Sequence, residues 1–313
     1  MNYTLHQLKV FHTVAELKSI TKAAEMLHLT QPAVSIQLKN FQEQFDIPLT
    51  EIVGRQLYLT EFGAEIAEAS DKILKEVEGI NQKVLNYQGQ LAGSLKVAVV
   101  STGKYIIPYF LTDFLAENPG VKLKMDVTNK HTVMTALEQN EIDFALISIL
   151  PERLQLNSIT LMNNELYFIG NRDSELDTDK KHDIKVLESI DLIFRESGSG
   201  TRQTLERYFN QNKLQIHKKL ELTSNEAVKQ AVVAGLGYSI LPLIGLKNAL
   251  SLGDLKIIPL KGFPITSSWE LVWLKNKELS PVSKAYVEYL TAHKSDITEN
   301  YFHWLNEIDI GNH

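Results

Sequence analysis

The chain has 313 residues, a formal net charge of −6 and no cysteine. That length predicts roughly two or three domains. The absence of cysteine excludes disulfides, thiol catalysis and thiolate metal sites, and is typical of a cytoplasmic protein. Because the overall charge is negative, any contact with nucleic acid must depend on local basic residues. We expect neither a signal peptide nor a membrane span, since no suitable apolar run occurs.

Residues 5–45 have the apolar spacing of three consecutive helices. Ser19 and Thr30 are placed to cap the second and third helices, and Pro32 is tolerated in a first turn. In the third helix, one buried stripe is predicted for Val34, Leu38, Phe41 and Phe45. The second and third helices are separated by a short break, which is the spacing of a helix–turn–helix.

The outer face of the third helix is polar and could enter the major groove of DNA. Glutamine and asparagine can bond adenine edges, and a serine hydroxyl can reach a base or a phosphate. An ordinary helical hairpin with a polar surface is the alternative, and it gains weight because residues 1–60 contain as many acidic as basic residues.

The segment "IPLTEIVGRQLYLT" predicts two short strands around Gly54 and Arg55, in the manner of a wing. A long helix then starts at Thr60. Its apolar residues recur at spacings near those of a coiled coil, which predicts a dimer helix. The alternative is a single helix packed on its own domain. The stripe contains Phe62, Ile66, Ala69, Ile73, Val77, Ile80, Val84, Tyr87 and Leu91.

From residue 91 onward, predicted strands alternate with helices, which indicates an α/β sheet with parallel strands. This segment is long enough for two lobes. Three of its strand–helix junctions are polar: "VVSTGKY" at 99–105, "RESGSGTRQ" at 195–203 and "LTSNEAVKQ" at 222–230. Each alone could be an ordinary helix cap, but helix N-termini with small hydroxyl residues also bind anions. Together they predict a site for a small anion.

The N-terminal segment resembles the winged helix–turn–helix of LysR-type transcriptional regulators. The resemblance covers residues 1 to about 90 densely. The matching positions are Ala23-Ala24, Leu27, Thr30 to Ser35, Gln37-Leu38, Gly54-Arg55, Leu59-Thr60 and Gly63.

The resemblance implies how DNA is bound. The third helix would lie in the major groove, the wing would reach the minor groove through Arg55, and Thr60 would contact the DNA backbone. Ile36 stands where members of the family often carry a basic residue, so it could contact a thymine methyl group instead. The implied DNA-binding residues are Thr30, Gln31, Pro32, Ser35, Ile36, Gln37, Lys39, Arg55 and Thr60.

The C-terminal segment resembles the effector domain of the same family, which is like a two-lobed periplasmic binding protein. Its three polar junctions are most similar to those of regulators of Calvin-cycle (RuBisCO) operons. The resemblance implies a small, anionic metabolite held between the lobes. The implied ligand-binding residues are Ser101, Thr102, Gly103, Lys104, Ser199, Gly200, Thr201, Arg202, Ser224 and Asn225.

We therefore predict an α/β protein with a winged helix–turn–helix at 1–60, a linker and dimerisation helix at 61–90, and a two-lobed effector domain at 91–313. The expected partners are an operator in double-stranded DNA, further copies of the chain as a homodimer or homotetramer, and the effector.

No catalytic residue, metal site or cofactor is expected, and no contact with a membrane. His303, near Glu299 and Glu307, is assigned to a solvated helix. A phosphate-binding α/β enzyme and a solute-binding protein with a helical head that binds no DNA are the alternatives. The lysine of a phosphate-binding P-loop is absent after "GSGT", which argues against the enzyme.

Overall fold

A computed structural model describes residues 2–54, 56–87, 90–151 and 153–306; for residue 78 and residues 81–87 only the backbone is described. The chain forms two compact units, residues 1–90 and residues 91–313. In the described ranges, no helix is long and apolar enough to cross a membrane.

The N-terminal unit is built from helices and one hairpin. The elements are α1 (Leu5–Leu17), α2 (Ile20–Leu27), α3 (Gln31–Gln42), β1 (Thr50–Val53), β2 (Gln56–Leu59) and α4 (Glu61–Tyr87). The side chains of Ser19 and Thr30 accept hydrogen bonds from the backbone N–H groups of Lys22 and Ala33, which confirms both predicted caps. Strands β1 and β2 pair in antiparallel register, as predicted for the wing.

The predicted stripe of α3 is the centre of this unit. Val34 and Phe41 are fully buried and Leu38 is 6% exposed. Phe45 lies beyond the end of α3 and is only partly buried, although it packs against the same core. The Phe41 ring lies 5.1 Å from that of Phe11 in α1. Because one face of α3 packs into this core, its other face is exposed to solvent.

The start of α4 is fixed to the loop before β1. The Thr60 hydroxyl donates to the Pro48 carbonyl at 2.7 Å and accepts from the Gly63 N–H at 2.9 Å. Gly63 lies so close to this loop that a Cβ atom on it would stand 1.8 Å from the Leu49 carbonyl oxygen. Only glycine fits there without movement of the backbone.

The apolar stripe of α4 changes surroundings along the helix. Phe62 and Ile66 pack against the core of the N-terminal unit. Further on, Ile73 is 41% exposed and Ile80 is 58% exposed. The side chains of Val84 and Tyr87 lie outside the described residues. The dimer stays a prediction, and these exposed isoleucines are the surface on which it depends.

The C-terminal unit contains a mixed sheet of β3 (Ala92–Val100), β4 (Gly120–Thr128), β5 (Phe144–Ile147), β6 (Leu156–Asn171), β9 (Ser239–Pro242), β10 (Leu255–Ile257) and β11 (Ile265–Leu274). The strand order is β10-β6-β11-β5-β3-β4, and β9 pairs with β6. The expectation of parallel strands holds for β3 against β4 and β5. It is wrong for β6 and β11, which pair antiparallel over their length. These two strands carry the chain out of the first lobe and back, so they run in opposite directions.

Two lobes share this sheet, each with its own core. Lobe I contains α5 (Ile107–Glu117), α6 (Lys130–Glu138) and α10 (Pro281–Phe302) around one apolar cluster. Lobe II has two clusters. Its elements are β7 (Leu192–Arg195), α7 (Gly200–Gln211), β8 (Lys218–Leu222), α8 (Asn225–Val233), β9 (Ser239–Pro242), α9 (Lys247–Ser251) and β10 (Leu255–Ile257).

The end of α10 packs onto the effector unit. Ile297 and Phe302 are buried in the core of lobe I. Trp304 and Leu305, in the short turn His303–Asn306, contact core clusters of both lobes. His303 itself is exposed, and no group of side chains suited to a metal ion occurs in the part of the chain that is described. Glu307 lies outside it.

Candidate DNA-binding and effector-binding sites

The outer face of α3 carries the predicted DNA-reading residues. Thr30, Gln31, Pro32, Ile36 and Lys39 are exposed, whereas Ser35 and Gln37 are half-buried. Since α3 is held from behind by its buried stripe, these side chains are presented together on one rigid element. This is the arrangement that a helix entering the major groove requires.

Two contacts set the resting positions of these side chains. The Gln31 amide donates to the Ser35 hydroxyl at 3.1 Å, and Lys39 lies 3.7 Å from Glu43 in an exposed pair. Exposed pairs of this kind contribute little, about 0.3–0.5 kcal/mol, so both are easily exchanged for contacts with DNA. Ile36 is 57% exposed and offers an apolar surface between them.

The wing and the start of α4 complete this surface. The wing turn contains Gly54, whose φ of +67° favours glycine. Arg55 lies outside the described residues, so its minor-groove role stays a prediction. The single hydroxyl proton of Thr60 is already donated to the Pro48 carbonyl oxygen. Its predicted contact with a phosphate would therefore require that bond to be exchanged, or would be made by neighbouring backbone groups.

The three polar junctions of the effector unit meet between the lobes. Thr102 follows β3 in lobe I, Thr201 is in the first turn of α7, and Asn225 opens α8. The Asn225 amide donates to the Thr102 hydroxyl at 2.9 Å and to the Thr201 hydroxyl at 3.3 Å. All three are nearly fully buried, and the side-chain amide oxygen of Asn225 (Oδ1) has no hydrogen-bond partner.

Arg195, which ends β7, also lines this cleft and was not predicted. It is 4% exposed, and its guanidinium is paired with both carboxylate oxygens of Glu196, at 2.7 and 2.9 Å. It also reaches across to lobe I, donating to the Ser101 hydroxyl at 3.4 Å. Its position at the end of a strand was the available signal, since the predicted junctions also follow strands.

Lys130, the first residue of α6, was missed too. It is 9% exposed, borders the cleft and donates to the Gln203 amide oxygen of lobe II at 2.9 Å. Burial lowers the pKa of its ammonium group, and the nearby charge of Arg207 lowers it further. The sequence offered the same clue as for Arg195, namely a basic residue where a predicted strand ends, since Lys130 comes just after β4.

The two basic residues that the sequence predicted for the ligand lie elsewhere. Lys104 is exposed, with its ammonium 5.0 Å from the Tyr105 ring centroid. Arg202 pairs with Glu206 and Glu221, each at 2.6 Å, and these hydrogen bonds raise the pKa of its guanidinium. Neither borders the cleft. Their ligand roles stay predictions without support from this arrangement.

The remaining predicted ligand residues divide in the same way. Ser101, Thr102, Ser199, Gly200 and Thr201 border the cleft. The other three are Asn225, bonded to Thr102 and Thr201; Ser224, whose hydroxyl caps α8 by accepting from Ala227 at 3.0 Å; and Gly103, packed against Leu146 and Val99.

A further contact links the lobes at the rim of the cleft. The Tyr105 hydroxyl of lobe I donates to Glu226 of α8 at 2.8 Å, and Lys229 pairs with the same carboxylate at 2.9 Å. Burial raises the pKa of Glu226, but hydrogen bonds from Lys229, Tyr105 and Gln230 outweigh it, and the pKa falls to about 2. Burial and Glu226 together raise the pKa of Tyr105.

These contacts close the cleft tightly. The space left between Ser101, Lys130, Arg195 and Thr201 is about 10 Å³. A single water needs about 10–15 Å³ measured in this way, so a metabolite can enter only if the lobes separate. In this arrangement the cleft is closed by the hydrogen bonds that cross it.

A winged helix–turn–helix head joined to a two-lobed domain with a polar cleft defines a DNA-binding regulator with an effector domain. Residues 5–64 match the family model described as a bacterial regulatory helix-turn-helix protein of the lysR family, and residues 88–295 match the LysR substrate binding domain. The chain belongs to the LysR family of transcriptional regulators. Its curated relatives are named as transcriptional regulators, and the chain is a DNA-binding regulator and not an enzyme.

Curated relatives cover nearly the whole chain. It is 37% identical over 297 residues to the HTH-type transcriptional activator CmpR of Synechocystis sp., covering 95% of this chain and 98% of the relative. It is 38% identical over 293 residues to the RuBisCO operon transcriptional regulator of Acidithiobacillus ferrooxidans, covering 94% and 95%. The predicted similarity to regulators of RuBisCO operons is confirmed.

Solved structures agree with this fold. The regulatory domain of CcmR from Synechocystis, in complex with 2-PG, is 34% identical with a TM-score of 0.62, covering 65% of this chain and 98% of that one. Full-length CbnR complexed with its target DNA is 21% identical with a TM-score of 0.69, covering 92% of this chain and 99% of that one.

Proposed function

We propose that this regulator binds its operator through α3 and the wing, and that a small anionic metabolite between the lobes modulates that binding. The domains in this proposal are the head at 1–60, the linker helix at 61–90 and the effector domain at 91–313. The homodimer would form along α4, through Ile73 and Ile80, and contacts between effector domains would give a tetramer.

One observation carries the anionic character of the effector. The N-termini of α6 and α7, from opposite lobes, both border the cleft, and Lys130 and Arg195 are buried beside them. Helix N-termini carry unpaired N–H groups and the positive end of the helix dipole. Two such ends form a surface suited to an oxyanion, with the buried ammonium of Lys130 as the attracting charge and Arg195, already paired with Glu196, as a further hydrogen-bond donor.

The mechanism is a shift in population between lobe arrangements. Direct bonds across the cleft, from Asn225 to Thr102 and from Arg195 to Ser101, stabilise the closed arrangement. An effector that exchanges these bonds for its own contacts favours a different angle between the lobes. Only the difference in its affinity for the two arrangements can change DNA binding.

The similarity to CcmR supports 2-PG as the first compound to test. That domain was solved in complex with 2-PG and is 34% identical to this one. The test is footprinting of the DNA beside the gene, with full-length protein and a panel of small phosphorylated and carboxylated acids. We expect at least one acid to change the protected region. A footprint that no acid alters, but that a neutral metabolite does, would contradict the anionic assignment.

A further inference from the structure

Lys130 borders the cleft from lobe I, whereas Arg207 is an exposed residue of lobe II that borders a neighbouring cavity; neither has an acidic partner among the described residues. Lys130 belongs to α6 of lobe I and Arg207 to α7 of lobe II. Within the described ranges, no carboxylate oxygen lies within 4.0 Å of either cation, and the hydrogen bond of Lys130 goes to the neutral amide of Gln203. Arg207 is close enough for its charge to lower the pKa of Lys130.

The surroundings of Lys130 oppose its charge. It is nine-tenths buried, and it stands in the first turn of α6, at the positive end of the helix dipole. The Arg207 guanidinium adds a like charge. A buried cation without a counter-ion is costly, so proteins keep one mainly where a ligand completes it.

Other basic residues around the cleft are already neutralised, which makes this pair different. Arg195 is held by Glu196, Arg202 by Glu206 and Glu221, and Lys229 by Glu226. Because their charge is compensated inside the protein, they can position a ligand but add little net attraction for an anion.

A cavity beside Arg207 provides the space. It measures about 430 Å³ and is lined by both polar and apolar side chains, among them Ser148, Arg207, Ser267, Ser268 and the acidic residue Glu270. Ser148 borders both this cavity and the closed cleft next to Lys130. Its size is that of a small-molecule site, roughly 300–1,000 Å³. A metabolite could place its body here and its acidic group between the two cations.

We propose that Lys130 and Arg207 are the residues that read the charge of the effector, one from each lobe, by clamping an oxyanion such as a phosphate or a carboxylate. The proposal rests on the proposed function and assigns its charge recognition. When the anion enters, the hydrogen bond between Lys130 and Gln203 is exchanged for ionic contacts to both lobes. The anion then links α6 to α7 directly.

Calorimetric titration of the full-length protein with 2-PG and, separately, with inorganic phosphate tests this assignment. The variants are Lys130→Met and Arg207→Met, which keep length but remove charge. Lys284→Met is the matched control, because Lys284 is exposed on α10 and borders neither the cleft nor the cavity beside Arg207. We expect affinity to fall at least about tenfold in each cleft variant, the loss of one charge-assisted bond, and to stay within about twofold in the control.

Folding is checked separately, since Lys130→Met removes an uncompensated buried charge and should keep or raise the melting temperature of the ligand-free protein. If wild type binds 2-PG and both cleft variants bind it equally well, the clamp is wrong while the effector site stands. If wild type binds neither anion, the clamp is also wrong. Control of DNA binding by an effector is then judged from the footprint alone. If wild type binds phosphate but not 2-PG, then 2-PG is excluded; loss of phosphate affinity in both variants supports the clamp, and unchanged affinity overturns it.

Discussion

The amide of Asn225 in lobe II donates to the hydroxyl of Thr102 in lobe I at 2.9 Å, with both side chains buried. This bond connects the first turn of α8 to the end of β3. The oxygen of the same side-chain amide, Asn225 Oδ1, has no hydrogen-bond partner. A buried acceptor without a donor is unusual in a native protein. This contact is the centre of the closed cleft, and its replacement by a ligand is what the proposed regulation requires.

A double-mutant cycle tests that contact. Thr102→Val and Asn225→Ala should each destabilise the effector unit by about 1–3 kcal/mol, because each removes one partner of a buried hydrogen bond and leaves the other partner unsatisfied. The coupling between them should be about 1 kcal/mol, measured by urea unfolding. Thr112→Val, at an exposed hydroxyl bonded within its own helix, is the control and should change little. A coupling near zero would mean that the two side chains do not interact in solution.

Gly63→Ala should disrupt the N-terminal unit. The new methyl group would overlap the Leu49 carbonyl oxygen, so the start of α4 must move away, at a cost of about 3 kcal/mol or more. We expect a lower melting temperature for the head and weaker DNA binding. Gly79→Ala in the same helix meets no atom within 4 Å and should gain about 0.5–1 kcal/mol instead. Equal stability of the two variants would contradict the close approach.

Acid should weaken the link between Tyr105 and Glu226. The pKa of Glu226 is about 2 in the folded protein, below its usual 4.5, so the group favours folding above pH 4.5. That contribution is lost as the pH falls from 4.5 towards 2. Melting temperatures recorded over this range should fall less steeply for Glu226→Gln than for wild type. Parallel curves for the two proteins would show that Glu226 is not held in this way.

DNA binding should depend only weakly on salt, since the reading face contains Ile36 where a basic residue is common in the family. Ile36→Lys should steepen the slope of log affinity against log salt by about 0.9, the value for one added phosphate contact. Leu252→Lys adds the same charge at an exposed position of the other unit and should leave the slope unchanged. A wild-type slope of about −10 would contradict this account.

Local patterns predicted the head well because its structure depends on neighbouring residues. The stripe of Val34, Leu38 and Phe41 follows from helical spacing, and the caps at Ser19 and Thr30 from single side chains. The three polar junctions were found for the same reason.

The cations of the cleft could not be placed from spacing alone. Lys104 and Arg202 belong to the polar junctions in sequence, but neither borders the cleft. The Lys104 ammonium lies over the Tyr105 ring, and the Arg202 guanidinium pairs with two carboxylates. Lys130 reaches the cleft because the two lobes fold against each other, which no local pattern reveals. The antiparallel pairing of β6 with β11 was missed for a similar reason, since it joins segments about a hundred residues apart.

The most direct test of the account is the affinity of full-length protein for a labelled operator fragment, measured by fluorescence anisotropy with and without 2-PG. Wild type and Thr201→Val are compared at one salt concentration. We expect 2-PG to change the affinity of wild type for the operator, whereas Thr201→Val binds the operator normally and does not respond. A wild-type affinity that 2-PG leaves unchanged, or a response that survives in Thr201→Val, would contradict control by 2-PG through the interlobe cleft.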